Sequence, residues 1–141
     1  MCLKVATKKL VAKTDLLVFK CLDYNGDGNY CTPFQFYPVK FNGGQCTIKG
    51  GDNALTTDNA WSPVTGNYKI INYGVHAFVS REEADDVARH FAETKTHYAV
   101  IPKGNFYYRG IDFDIVTTDM IVFRSKRAFE KYTKEHEVKK I

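Results

Sequence analysis

The segment Ser80–Ala92, SREEADDVARHFA, carries the most definite structural signal in the chain. It opens with a capping box, in which the Ser80 hydroxyl accepts a hydrogen bond from the Glu83 N–H and the glutamate carboxylate accepts one from the serine N–H. Apolar side chains then recur at the i, i+3, i+4, i+7 and i+8 spacing of one helical face. They are Ala84, Val87, Ala88, Phe91 and Ala92. The pattern predicts an amphipathic helix over about residues 80–94.

Short apolar or alternating runs lie on both sides of this helix and are typical of strands. In chain order they are Leu16–Leu22, Tyr68–Tyr73, Val75–Val79, His97–Ile101, Asn105–Ile111 and Asp114–Phe123. Near the end of the chain, Phe129, Tyr132 and His136 share one helical stripe, which predicts a C-terminal helix. The order predicts an α+β fold, mostly antiparallel, with one central amphipathic helix and a C-terminal helix.

Turn residues punctuate the region between the first strand and the helix. Asp23–Asn29 contains Asn-Gly and Asp-Gly steps, which favour a tight hairpin. The same segment resembles the start of a calcium-binding loop, but Phe34 stands where such a loop needs a bidentate glutamate, so we favour the hairpin. Pro33 and Pro38 lack backbone donors and therefore place the strand Phe34–Phe41 at a sheet edge or break it.

Residues 42–68 contain two Gly-Gly pairs, a further glycine and a proline, with little periodicity. We predict a long loop or insertion there, within a single α+β domain that spans residues 1–123.

The net charge of +4 is concentrated at the C-terminal end of the chain. Residues 124–141 hold seven Lys or Arg against three Asp or Glu, whereas residues 1–123 hold thirteen of each. The sequence therefore predicts a neutral body followed by a basic C-terminal helix or tail, and contact with nucleic acid is expected only through that segment.

Cysteine and histidine placement does not favour a metal site. The four cysteines form no C-x-x-C pair and the four histidines are scattered, so we predict reduced thiols and no bound metal. Phosphate-loop, dinucleotide and nucleophile-elbow motifs are absent, and we predict no catalytic residue and no cofactor. Without a span of ~20 apolar residues or a signal peptide, we expect a soluble protein with no membrane partner.

One short run carries chemistry that suits a nucleotide base. Phe106–Arg109 places aromatic rings next to a guanidinium, and both groups can stack on a base. Because side chains alternate along a strand, half of this set is expected to face the core. Tyr108 and Arg109 are therefore candidate ligand-binding residues, with core packing as the alternative for the ring.

Several stretches together resemble a group of small uncharacterised proteins from bacteriophages and gut bacteria. They are the start Met1–Leu3, the Gly-x-His-x-Phe strand Gly74–Phe78, and Ile101–Gly104 followed by the pair Tyr107-Tyr108. The resemblance implies a phage-type accessory protein in the cytoplasm of a bacterial host cell. Such a protein would be non-catalytic and would bind a host macromolecule or a small nucleotide, for example to blunt a bacterial defence. A minor virion or structural protein is an alternative.

The order of elements is also similar to that of ADP-ribosyltransferases. In that comparison Lys20 takes the place of an arginine that binds dinucleotide phosphates, His76 lies on the second strand at the pocket wall, and Asp119 takes the place of the catalytic glutamate. The resemblance implies an ADP-ribosyltransferase-like fold and, as an alternative function, an enzyme that uses NAD. Lys20, His76 and Asp119 thus join the candidate ligand-binding residues. Their structural alternatives are a lysine at a strand edge, a core histidine and an aspartate that caps local backbone groups.

Overall fold

Antiparallel strand pairing dominates the structure, a computed structural model that describes residues 3–5, 8–24, 29–32, 38–91, 93–110 and 114–141, with residues 3 and 4 described by their backbone. The strands before the first helix are β1 (Leu3–Val5), β2 (Leu10–Val11), β3 (Asp15–Tyr24), β4 (Tyr30–Cys31), β5 (Pro38–Val39), β6 (Gln45–Lys49), β7 (Thr57–Ser62), β8 (Gly66–Ile71) and β9 (Val75–Phe78). After them come α1 (Arg81–Arg89), β10 (Thr94–Ile101), β11 (Phe106–Arg109), β12 (Asp114–Thr117), β13 (Asp119–Phe123), α2 (Lys126–Thr133) and β14 (Val138–Lys140).

The strands form one large sheet and one small sheet. The large sheet has the order β2-β11-β12-β9-β3-β10-β13-β6; β4 and β14 also pair with β3, and β5 pairs with β4. The small sheet has the order β1-β8-β7. In the described ranges, β14 beside β3 is the single parallel pair. The predicted α+β fold with mostly antiparallel strands and two helices is confirmed.

Strand β3 lies at the centre of the large sheet, and its two edges are paired differently. One edge pairs with β10 without interruption, from Leu16 opposite Ile101 to Asp23 opposite Thr94. The other edge is divided among three strands: β14 beside residues 15–17, β9 at Phe19 opposite Phe78, and β4 beside residues 23–24. Residues 20–22 therefore have no named strand beside them on this edge within the described ranges.

The two faces of β3 contribute to different parts of the core. Val18 and Leu22 belong to the main apolar cluster, whereas Phe19 and Cys21 pack with Ala84 of α1. This division follows from the alternation of side chains along a strand. The helix is thus held against one face of the sheet, next to the interrupted edge of β3.

Helix α1 begins where the sequence predicts and ends earlier. Ser80 is the N-cap, and its hydroxyl accepts a hydrogen bond from the Glu83 N–H at 3.4 Å. The helix ends at Arg89; Glu93 has a positive φ of 67°, and β10 begins at Thr94. The predicted extension to residue 94 is wrong, and Phe91 consequently lies beyond the helix, where it is 48% exposed.

The prediction of a long loop over residues 42–68 is also wrong. Strand β6 pairs with β13, and β7 forms a hairpin with β8. These strands have no strongly apolar alternation because Ile48 is the one fully buried side chain of β6, while β7 has none. Likewise, the run Asp114–Phe123 is two strands, separated at Thr118.

The C-terminal segment packs onto the rest of the molecule. The helix alternative is confirmed as α2, with the Ser125 hydroxyl accepting from the Ala128 N–H at 3.2 Å. Phe129 stacks on Tyr98 at 4.8 Å between ring centroids, and the Tyr132 hydroxyl donates to Asp15 at 2.7 Å. Strand β14 was not expected.

Part of the region between β3 and β6 lies outside the described residues. The predicted hairpin turn is among these residues at 25–28, although β3 and β4 do pair antiparallel on either side of it. Residues 33–37 are also outside, and Pro38 lies in β5, which pairs with β4. Among the described residues, neither helix is long and apolar enough to cross a membrane.

Candidate ligand-binding site

A cavity of about 230 Å³ lies where β3 and β9 separate. On the edges that face away from the cavity, β3 pairs with β10 and β9 pairs with β12. Between the strands, the ladder has one residue pair, Phe19 opposite Phe78. Beyond that pair the two strand edges diverge, and the space between them is lined by residues of both strands, of α1 and of the turn before β9.

Lys20 is a buried cationic residue that lines this cavity. Its side chain is only 7% exposed, and its Nζ donates a hydrogen bond to the His76 carbonyl at 2.6 Å across the gap. Among the described residues, Lys20 forms no ion pair. Burial lowers the pKa of Lys20 from its ordinary value to about 8, and the electrostatic interaction with the neighbouring Cys21 opposes this shift.

His76 lines the opposite wall and is neutral at pH 7. Burial, together with the nearby Lys20 charge, lowers the pKa of His76 to about 4, and a hydrogen bond with the Gly74 backbone partly opposes this shift. Its Nε2 is buried and has no hydrogen-bond partner in the described ranges. Unpartnered buried ring nitrogens are unusual, and this one belongs to a residue that lines the cavity.

Apolar and aromatic side chains make up much of the remaining wall. Phe78, Val87 and Phe91 line the α1 side, and Tyr73 lines the side next to the turn before β9. Phe91 and Tyr73 are both about half exposed, at 48% and 53%. The cavity therefore combines one buried cation with ring surfaces that a flat ligand can reach.

Two glycines allow the turns at the rim to approach closely. A Cβ on Gly74, which has a φ of +144°, would lie 2.5 Å from Val116 Cγ2. A Cβ on Gly50 would lie 2.5 Å from the Thr118 carbonyl oxygen. The Gly50 N–H donates to that carbonyl at 2.7 Å and to the Asp119 carboxylate at 3.4 Å. Asp119 thus reaches the Gly50 turn through the longer of these two bonds, and it is not itself among the lining residues.

The five sequence candidates fall into three places. Lys20 and His76 meet at the cavity, and Asp119 is connected to it through Gly50. Tyr108 is buried in a separate apolar cluster with Val116, and Arg109 is exposed at the end of β11. Neither Tyr108 nor Arg109 lines the cavity.

Several cavity residues were not identified from the sequence. Cys21, Tyr73, Phe91, Thr94 and Asp114 all line the cavity, but none was selected as a ligand-binding candidate. Phe91 did carry a signal, since it continues the apolar stripe of α1 into a position where the helix has ended. The others are brought together by strand pairing between distant parts of the chain.

The Cys21 thiol at the cavity is not placed as a nucleophile. The Cys21 thiol donates to the Ala84 carbonyl at 3.3 Å, and burial raises the pKa of Cys21, so the thiol stays protonated. Among the residues whose side chains are described, no three His, Cys, Asp or Glu groups are placed to hold a metal ion. The three described cysteines, Cys21, Cys31 and Cys46, are free.

No family model, curated protein or solved structure matches this chain. The site is therefore interpreted from its own geometry and charges.

Proposed function

We propose that this chain is a non-catalytic binding protein that takes a small nucleotide into the cavity between β3 and β9. The observation that carries the proposal is the buried Lys20 amine, which lies without a described carboxylate partner in a cavity with accessible aromatic walls. The resemblance to phage proteins supplies the context, an accessory protein that acts inside a bacterial host cell.

The lysine favours a ligand with an anionic or carbonyl oxygen. Burying a charge is costly unless it is paired, and the His76 carbonyl is the one described partner of Lys20. A ligand oxygen would supply a second partner in a dry environment, and hydrogen bonds to charged groups contribute about 1.5–3 kcal/mol. A phosphate oxygen or a base carbonyl meets this need.

The aromatic walls favour a flat ring. Stacking of a base on an aromatic side chain is worth about 1–3 kcal/mol. The half-exposed rings of Phe91 and Tyr73 provide such surfaces at the cavity. The cavity volume of about 230 Å³ is below the roughly 300–1,000 Å³ of typical ligand pockets. A single nucleotide, partly enclosed, fits this volume better than a dinucleotide.

An NAD-dependent transferase is the second candidate, because two of its three expected positions, Lys20 and His76, meet at the cavity. The non-catalytic alternative is favoured because the Asp119 carboxylate accepts a hydrogen bond from the Gly50 N–H and does not line the cavity. Incubation with labelled NAD and bacterial lysate separates the two. We expect no label on protein, and transfer that is lost in Asp119→Ala would favour the enzyme.

Thermal shift and calorimetric titration with nucleoside mono-, di- and triphosphates test the binding proposal. A ligand that binds only the folded state stabilises it by RT ln(1 + L/Kd), where L is the free ligand concentration, so Tm rises with the logarithm of L once L exceeds Kd. We expect Lys20→Met to weaken binding at least tenfold. Lys103→Met, which removes an exposed lysine outside the cavity, serves as the matched control and should bind as the native chain does. Absence of binding by every nucleotide, or equal binding by Lys20→Met, would overturn the proposal.

A further inference from the structure

The buried lysine also supports an activity that does not depend on nucleotide binding. We propose that Lys20 is a reactive amine that forms a reversible imine with small aldehyde-bearing molecules inside the cavity. Among lysines whose side chains are described, Lys20 is the one that is buried; all the others are exposed. It lines a cavity large enough for a small ring, so the carbonyl carbon of such a molecule can approach it.

The surroundings of the amine leave it able to react. Its Nζ has one described hydrogen bond, to the His76 carbonyl at 2.6 Å, and it forms no ion pair within the described ranges. An amine nitrogen that donates one N–H to a carbonyl directs its lone pair away from that carbonyl. No carboxylate from the described side chains holds the group as an ammonium ion, as Glu130 does for the exposed Lys126.

Protonation supports the same conclusion. Burial lowers the pKa of Lys20 to about 8, so about one molecule in ten carries the free amine at pH 7, compared with about one in three thousand for a lysine of ordinary pKa. The free amine is the nucleophile, and desolvation in an apolar pocket is a recognised way to activate a lysine.

The step is balanced without an external oxidant or reductant. The Lys20 nitrogen attacks the aldehyde carbon, a C–N bond forms, and a proton passes from nitrogen to the former carbonyl oxygen, giving a carbinolamine. The C–O bond then breaks, and the hydroxyl leaves with the second amine proton as water, which leaves a C=N bond. Because the Lys20 side chain is only 7% exposed, its surroundings limit the return of water and so favour the imine.

Reductive trapping tests this inference on the full chain. Benzaldehyde is added at pH 7 with sodium cyanoborohydride, which converts an imine into a stable secondary amine, and the labelled lysines are identified by peptide mass mapping. We expect Lys20 to be labelled at least tenfold faster than the exposed Lys103 and Lys69. Equal rates, or slower labelling of Lys20, would overturn the proposal; this ratio is measured within the native protein and needs no variant.

Lys20→Arg is the matched variant, because it keeps a positive charge but has no primary amine. It should lose the fast labelling and keep the slow labelling of surface lysines, with circular dichroism reporting the fold. Fast total labelling that survives in folded Lys20→Arg would contradict the assignment.

The outcome is independent of the nucleotide proposal. Fast labelling of Lys20 in a chain that binds no nucleotide supports the imine and overturns the proposed function. Nucleotide binding that depends on Lys20, with no preferential labelling of Lys20, supports the proposed function and overturns the imine. Where both hold, adenosine monophosphate should slow the labelling of Lys20 and leave that of Lys103 unchanged.

Discussion

The two edges of β3 show how the same strand contributes both stability and a site. Along one edge, β10 pairs with β3 from residue 16 to residue 23, which gives the backbone of this segment regular partners. Along the other edge, β14, β9 and β4 each pair with a different part of β3, and β9 does so at a single residue pair. The cavity lies at that departure. A continuous ladder leaves no room for a ligand, whereas an interrupted one leaves both space and backbone groups that need partners.

The interruption is met by an unusual contact. The Lys20 amine donates a hydrogen bond across the gap to the His76 carbonyl, whereas elsewhere in the sheet the donor to a strand carbonyl is a backbone N–H of the neighbouring strand. A lysine in that position is buried at an energetic cost, which its lowered pKa reflects. We infer that the interrupted edge is the less stable and more adaptable side of β3.

The largest expected effect is on the continuous edge. Ile101 of β10 lies opposite Leu16 and is fully buried, so Ile101→Ala should lower the free energy of unfolding by about 2–5 kcal/mol. Phe91→Ala at the cavity should cost under about 1 kcal/mol, because its ring is already half exposed. Urea unfolding of both variants measures the contrast. Equal losses would show that the two edges do not differ as described.

The next effect is a pH dependence that belongs to the interrupted edge. The pKa of Lys20 is about 8 in the folded chain and has its ordinary value of 10.5 when unfolded, so between these values the unfolded state binds more protons. Stability attributable to Lys20 should therefore rise with pH across this window, by roughly 3 kcal/mol at most. Lys20→Met should show no such rise. The free energy of unfolding of the native chain should therefore increase relative to that of the variant as the pH rises above 8.

Unfolding at pH 7.5 and 9.5 measures this difference. The pH is kept below 10 because burial and the hydrogen bond with Asp15 raise the pKa of Tyr132 in the folded chain. Above pH 10 the unfolded tyrosine loses its proton first, and this lowers the free energy of unfolding. A constant difference between the native chain and Lys20→Met would contradict the assigned pKa of the lysine.

A smaller effect is expected at the turn that starts β9. Gly74→Ala should lower the free energy of unfolding by about 1–3 kcal/mol, because it combines a strained backbone with a Cβ 2.5 Å from Val116 Cγ2. Gly66→Ala is the matched control: it also has a positive φ, +73°, but open space around the Cβ, and should cost about 1 kcal/mol. Thermal unfolding compares them, and a larger loss for Gly66→Ala would contradict the close approach.

The smallest effect concerns β14, the third part of the interrupted edge. Tyr132→Phe removes the hydrogen bond to Asp15 and keeps the ring that stacks on His136 at 4.0 Å. It should cost about 1 kcal/mol. Hydrogen exchange should quicken at Lys139 and Lys140, whose strand pairs beside Leu16 and Leu17. Unchanged exchange there would show that the hydroxyl does not hold β14 against β3.

Elements with a strong local signal were predicted well. The N-terminus of α1, the presence of α2 and the strands β3, β9 and β10 are specified by a cap, helical spacing, apolar runs and turn residues within a few positions of one another. By contrast, β7 and β14 are mostly exposed and lack an apolar pattern. They are strands because of the partners beside them, which lie elsewhere in the chain.

The site divides in the same way. From the sequence alone, Lys20 and His76 could be selected as chemically notable residues on two strands, together with Tyr108, Arg109 and Asp119, and the helix and strand types around them could be assigned. Only the tertiary structure decided that Lys20 and His76 face one cavity and that Tyr108 is core. The reason is that capping and periodicity act over one or two turns of chain, whereas the cavity depends on β3 and β9 pairing at Phe19 and Phe78 and nowhere else in the described ranges.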